Sequence, residues 1–206
     1  MNHRSREEGK IIAVTGMDGS GKSTVSSIIQ EYLKQKGKEF IVTKQPMNPI
    51  KEWICFRKLL NNECKYMNFS TIGGLIAWGR LNTQINEIEP ALNENKIIIC
   101  ERYITDITVW SIFRKAKQCW INNWTNSLLN EDYLFLCDSN AEVIFERLKK
   151  RKEKDKIGED NLTNIIELVE LYRKISKERN AYIINTNLDV ETVKVQIEDI
   201  LSNILK

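Results

Sequence analysis

The chain passes from a short β-branched run, Ile11-Ile12-Ala13-Val14, through Thr15 into Gly16-Met17-Asp18-Gly19-Ser20-Gly21-Lys22-Ser23, and helical periodicity begins at Lys22. From there Val25, Ile28, Ile29, Tyr32 and Leu33 recur at helical spacing, and Gly37 supplies a stop. A strand that runs through a glycine-rich loop into a helix constrains the fold strongly. The uninterrupted apolar strand has to be covered on both faces, and the helix that follows has to pack back over it.

Four more segments repeat the strand pattern: Phe40-Ile41-Val42-Thr43, Ile97-Ile98-Ile99-Cys100, Tyr133-Leu134-Phe135-Leu136-Cys137 and Tyr182-Ile183-Ile184. Helical patterns separate them. A long one carries Leu75, Trp78, Leu81, Ile85, Ile88 and Leu92 on one face, and others cover about 141–152, 161–178 and 190–205. Pro46 and Pro49 exclude regular structure after the second strand. The segment from Arg114 to Asn126, with Trp120 and Trp124, fits neither period and is left unassigned. The expectation is one α/β domain over 10–206, a five-stranded parallel sheet flanked by helices, behind a polar tail over 1–9.

Composition narrows the function. With 206 residues, 42% of them hydrophobic, the chain can bury one sizeable core and is short for two. The balance of 31 basic against 28 acidic residues gives a net charge of +3, too even to draw nucleic acid by itself. Five cysteines lie far apart with no CxxC pair, and the single histidine is His3, so neither a zinc site nor a disulfide framework is expected. No apolar run reaches a membrane span, and the start, MNHRSREEGK, has no signal-peptide core. A cytoplasmic protein with reduced thiols is expected.

Gly16 to Ser23 fits GxxxxGK[ST], in the strand-to-helix setting that gives the pattern its meaning. Backbone N–H groups of such a loop, together with the positive end of the helix dipole, wrap a polyphosphate, and the glycines let the backbone come close. The phosphate-binding set is Gly16, Met17, Asp18, Gly19, Ser20, Gly21, Lys22, Ser23 and Thr24. Lys22 is expected to neutralise the β and γ phosphates of ATP, and the Ser23 hydroxyl to ligate Mg²⁺. Glu101-Arg102-Tyr103 falls at the carboxyl end of the third strand, the edge where ligands sit in open α/β sheets. There Glu101 suits the metal's water, and the planar fork of Arg102 suits a second phosphate; a structural ion pair is the plainer alternative. Arg147 and Arg151 share a helix face at the start of a basic run that reaches Lys156, with Gly158 beyond. Beside a phosphate-binding loop this run is expected to be a mobile lid over about 147–160; by itself it would read as a solvated helix or a nucleic-acid patch.

Together these residues resemble the thymidylate kinase family of nucleoside monophosphate kinases, from about Lys10 to Lys206. Asp18 stands where the family places a loop carboxylate on the sugar 3′-hydroxyl. Glu101-Arg102-Tyr103 looks like its Asp-Arg-Tyr triplet, and Arg80 like its base-contacting arginine. The stretch from Phe145 to Glu159 is similar to the family's lid. Gly19 and Ser20 leave the loop without the arginine some members carry, and in that branch lid arginines, here Arg147 and Arg151, supply the charge. The chain also departs from the family: Lys44-Gln45-Pro46 for Arg-Glu-Pro, Gly79 for Asp, Ile76 for a stacking phenylalanine, and Trp110-Ser111 for Tyr-Gln. The resemblance implies a P-loop kinase fold with a short helical lid, ATP and Mg²⁺, small nucleotide substrates, no nucleic-acid or membrane partner, and a homodimer.

The expected reaction is phosphorylation of a deoxynucleoside monophosphate, dTMP first among them, with Lys22, Arg102, Arg147 and Arg151 as catalytic cations. Asp18, Lys44, Arg80, Arg102, Tyr103 and Trp110 would bind the acceptor. A deoxynucleoside kinase is the nearest alternative, but a hydroxyl acceptor wants a general base near the end of the second strand, and Gln45 is no carboxylate. A guanine-nucleotide switch should show Asn-Lys-x-Asp, which Asn185-Thr-Asn-Leu-Asp189 does not satisfy. An idle nucleotide-binding subunit is the alternative of another class.

Overall fold

Ile12 and Val14 alternate with Ile11 and Ala13 along the first strand, and all four are fully buried. Such a strand belongs inside a sheet. The computed structural model describes residues 9–44, 58, 69–150 and 161–205, and it places the strand there. β1 (Lys10–Thr15), β2 (Phe40–Lys44), β3 (Ile97–Glu101), β4 (Tyr133–Asp138) and β5 (Tyr182–Asn185) form one sheet in the order β2-β3-β1-β4-β5. Every pairing is parallel. Each strand is one or two residues longer than its apolar run.

Alternate side chains of the strands feed opposite layers. On one face Ile12, Val14, Ile99, Phe135 and Ile184 meet Val25, Ile29 and Leu33 of α1 (Lys22–Gln35). Val193, Ile197 and Leu201 of the last helix, Val190–Ile204, complete that layer. On the other face Ile11, Ala13, Ile98, Cys100 and Leu134 meet Ala77, Ile88, Ala91, Ile104 and Ile107. Each fully buried aliphatic side chain of this kind contributes about 1.5–3 kcal/mol relative to exposure.

The expected long helix is present with a change of pitch: α2 (Phe69–Thr83), a π-helical stretch over Gln84–Ile88, and α3 (Glu89–Asn93). Pro90 lies four residues after Asn86. A proline ring clashes with the carbonyl four positions back and removes one N–H, and a π register upstream relieves both. The single apolar face expected for this helix is divided. Ile88 is buried, whereas Trp78 and Ile85 are 57% and 54% exposed, because Ala77 and Ala91 take the positions against the sheet.

Two helices were not expected. α4 (Ile104–Phe113) starts directly after Tyr103, whose N–H donates to the Asp106 carboxylate at 3.0 Å. α5 (Gln118–Thr125) occupies the unassigned segment. Trp124 of α5 lies over Gly73 and Gly74 of α2, where a Cβ at Gly73 would overlap its ring. Beyond them α6 (Ala141–Lys150) and α7 (Leu162–Glu178) pack over Leu136 and Val109 through Ile144, Ile165 and Leu168; the last helix is α8. Gln45, Pro46, Pro49, Arg151, Lys156 and Gly158 lie outside the described residues. No described helix is long and apolar enough to cross a membrane.

Candidate active site

The loop between β1 and α1 has a shape that only glycine permits at its ends. Gly16 has φ 142°, and a Cβ there would stand 2.7 Å from the Cys137 carbonyl oxygen; Gly21 caps α1 at φ 91°. Inside the loop the Ser20 N–H donates to the Met17 carbonyl at 3.0 Å, and at its far end the Thr24 N–H donates to the Gly21 carbonyl at 3.0 Å. Lys22, only 7% exposed, curls back over this loop. Its ammonium donates to the carbonyls of Gly16 and Met17, both at 2.8 Å, and lies 3.2 Å from Asp18 Oδ1.

Sheet register delivers the next group. Glu101 ends β3 and pairs with Val14 of β1 on one side and Lys44 of β2 on the other, so the three strand ends stand level. Lys44 Nζ lies 2.8 Å from Glu101 Oε2 and donates to Ser23 Oγ at 3.4 Å; Ser23 Oγ donates to Glu101 Oε2 at 3.4 Å. Among the described residues no cluster of three or more histidine, cysteine or carboxylate side chains could hold a metal. A hydroxyl and a carboxylate oxygen nonetheless suit Mg²⁺, a hard cation that keeps several waters and takes one or two protein ligands.

Arg102 follows in a left-handed conformation, φ 66°, which costs a non-glycine residue about 1–2 kcal/mol. Its N–H donates to the Val14 carbonyl at 3.0 Å, and its guanidinium makes an ion pair with Asp18. Lys22, at the start of α1, and Arg102, just past the end of β3, therefore meet on one carboxylate. Strain kept at such a position is a mark of use.

Behind Arg102 is a residue that no motif picked out. Asp106 accepts from the Thr15 hydroxyl at 2.8 Å, the Tyr103 N–H at 3.0 Å and the Tyr172 hydroxyl at 2.9 Å. An acid three positions after a helix start is the capping signal that would have exposed both it and α4. Burial pushes the Tyr172 hydroxyl well above its usual range, and the negative charge of Asp106 adds to this. Trp110 packs against the layer that holds Tyr172; it stands edge-on to Phe113 with ring centres 5.9 Å apart, and the Arg114 guanidinium lies 5.3 Å from its ring centre. Tyr103 is buried in the layer that also holds Ile104 and Ile107, with Ile76 packed against it. Gly79 is buried, and its carbonyl accepts from the Thr83 hydroxyl at 3.2 Å; Ser111 is buried too.

Arg80, on α2, is 3% exposed, and its Nε and Nη1 have no hydrogen-bond partner among the described residues. Burial pulls its pKa down to about 10, with Asp106 the largest opposing influence, so it stays charged near neutral pH. Buried donors of this kind are costly unless something accepts from them. By contrast the Cys100 and Cys137 thiols are pushed up to about 12 by burial, which removes them as nucleophiles near neutral pH.

Arg147, in the last turn of α6, reaches back to the loop. Nη1 donates to the Gly19 carbonyl at 3.2 Å and Nη2 to the Thr186 carbonyl at 3.1 Å. Thr186, just past β5, was not expected near the site; it is held by hydrogen bonds from its N–H and hydroxyl to the Asp138 carbonyl, both 2.8 Å. Nothing in its sequence context marks it. Thus Lys22, Ser23, Lys44, Glu101, Arg102 and Arg147 converge with the loop, and Tyr103 donates to Asp106 behind it, while Arg80 on α2 and Trp110 on α4 are not among those contacts. The arrangement gathers four cations, Lys22, Lys44, Arg102 and Arg147, about the loop, with Arg80 buried on α2.

A family model described as thymidylate kinase matches residues 14–197. Among similar proteins, the thymidylate kinase of Caldicellulosiruptor saccharolyticus is 27% identical over 204 residues, 97% of this chain and 98% of that protein. The thymidylate kinase of an Exiguobacterium species is 32% identical over 158 residues, 72% of each chain. That of Staphylococcus haemolyticus is 28% identical over 205 residues, 95% of this chain and 98% of its own.

Proposed function

Because the chain belongs to the thymidylate kinase family, we propose that it transfers the γ-phosphoryl group of ATP to a deoxynucleoside monophosphate, converting dTMP to dTDP. The observation that carries this reading is the meeting of Lys22 and Arg102 on Asp18. A cation of the triphosphate loop and a cation at the end of β3 share one carboxylate, so phosphates bound at the two cations would be neighbours.

The acceptor phosphate is already an anion and needs no base. Its oxygen forms the new P–O bond as the bond from the γ-phosphorus to the bridging oxygen breaks, and ADP leaves with the electron pair. Catalysis then reduces to position and charge. The loop N–H groups from Gly16 to Thr24 and the Lys22 ammonium hold the donor. Ser23 and Glu101 would hold Mg²⁺, which supplies charge neutralisation on the phosphate oxygens when bound. Arg102 and Lys44 serve the acceptor's phosphate, Asp18 its 3′-hydroxyl, and Arg80, Tyr103 and Trp110 its nucleoside, with Arg147 and Arg151 as further cations. The homodimer implied by the resemblance is part of this proposal, and the exposed Trp78 and Ile85 lie on the long helix that would serve it.

A coupled ADP-release assay with ATP, run against a panel of nucleosides and nucleoside monophosphates, tests the reaction. Turnover of dTMP with none of thymidine is expected, since Gln45 is no general base. Turnover of thymidine without dTMP would instead assign a nucleoside kinase.

Arg147→Ala should lower kcat about 10²-fold, the order lost when one charge-stabilising donor is removed. The variant is expected to fold, with the loss of two hydrogen bonds to the Gly19 and Thr186 carbonyls as its structural cost. Steady-state kinetics beside a melting curve check both halves.

A further inference from the structure

Asp106 is 2% exposed, and its environment is richer than a helix cap requires. Oδ2 takes the Thr15 hydroxyl and the Tyr103 N–H; Oδ1 takes the Tyr172 hydroxyl and stands 4.0 Å from Arg102 Nη1. Any small acceptor side chain would cap α4, whereas a carboxylate taken out of water is costly unless it is well paired. Three donated hydrogen bonds and the guanidinium beyond them compensate that cost here. What the charge adds over a neutral cap is a hold on Arg102. Its bond to Tyr103 N–H locks the residue directly after the left-handed Arg102, so it fixes the turn from which Arg102 projects.

We propose that Asp106 is a positioning residue for the acceptor nucleotide, one buried carboxylate that sets the turn from which Arg102 reaches the acceptor's phosphate. The inference rests on the reaction proposed above. It concerns the acceptor half of the site and leaves the ATP half alone, because the loop from Gly16 to Ser23 makes its own contacts with Lys22.

Asp106→Asn tests it with little change of shape. The amide oxygen can keep the Thr15 and Tyr103 bonds while its NH₂ faces the Tyr172 hydroxyl, which turns to accept. Removal of the charge should raise the acceptor KM about tenfold and leave the ATP KM within about twofold, the split expected when binding of one substrate alone is weakened. Tyr172→Phe leaves the charge and loosens Oδ1, so a smaller rise of about threefold in the acceptor KM is expected, again with ATP unchanged.

A carboxylate that served only the fold would lower the melting temperature and the active fraction and leave both KM values where they were. That outcome, or equal rises for both substrates, in whichever variant folds, overturns the proposal while the wild-type enzyme still phosphorylates dTMP. If the wild-type enzyme prefers another deoxynucleoside monophosphate, the same split read with that acceptor decides the matter in the same way. If it phosphorylates no monophosphate, the proposed reaction fails and this inference fails with it.

Discussion

Lys22→Ala is expected to reduce turnover by about 10³-fold or more, the largest loss of any single substitution in the site, because one ammonium serves the phosphates between which the bond is broken. The geometry also says what the mutation costs the fold. The Lys22 ammonium satisfies the carbonyls of Gly16 and Met17, and its stem is nearly buried at the first position of α1. Loss of these charge-assisted bonds should cost a few kcal/mol, since a hydrogen bond to a charged group contributes about 1.5–3 kcal/mol net. The variant is expected to fold, with an unchanged far-ultraviolet circular dichroism spectrum and a lower melting temperature. A folded Lys22→Ala protein with comparable phosphotransfer would falsify the central reading of the loop.

Arg102→Gly should separate activity from stability. Removal of the guanidinium ought to cut kcat/KM for the acceptor about 10²–10³-fold, the order seen when a pre-positioned charge donor is lost. Glycine accepts φ 66° without the side-chain clash, so the same change relieves about 1–2 kcal/mol of backbone strain. The carboxylates left behind stay satisfied: Asp18 keeps Lys22, and Asp106 keeps Thr15, Tyr103 and Tyr172. An inactive protein at least as stable as the wild type is the expected result, read by denaturant unfolding and by acceptor kinetics on the same preparation. If the variant were inactive and markedly less stable, Arg102 would be a structural ion-pair partner instead.

These two residues were also the easiest to find, and for different reasons. Lys22 belongs to a motif whose spacing is imposed by the phosphates it wraps, so its position follows from Gly16 and Gly21. Arg102 was located by place: an apolar strand ends there, and parallel sheets present their carboxyl ends to ligands. Asp106 is not legible in the sequence because its partners are Thr15 and Tyr172, 91 and 66 residues away along the chain, which no local period reveals. Arg147 was recognised as part of a basic run, yet its bonds to Gly19 and Thr186 arise from α6 packing beside the loop.

What the sequence by itself determined is the layered α/β architecture and the chemistry at its edge. Five apolar runs, alternating with helical periods, can bury their backbones only as a parallel sheet, and a strand that passes through GxxxxGK[ST] into a helix is expected to cradle an anion. What only the tertiary structure decided is how distant segments meet. The order β2-β3-β1-β4-β5 sets Glu101 beside Lys44; Trp124 needs Gly73 to seat it, which places α5; and the long helix exposes Trp78 and Ile85 while Ala77 and Ala91 face the sheet. Periodicity is a property of neighbours three or four residues apart, whereas register, close approach over a glycine, and the sharing of one carboxylate depend on segments that meet only when the chain has folded.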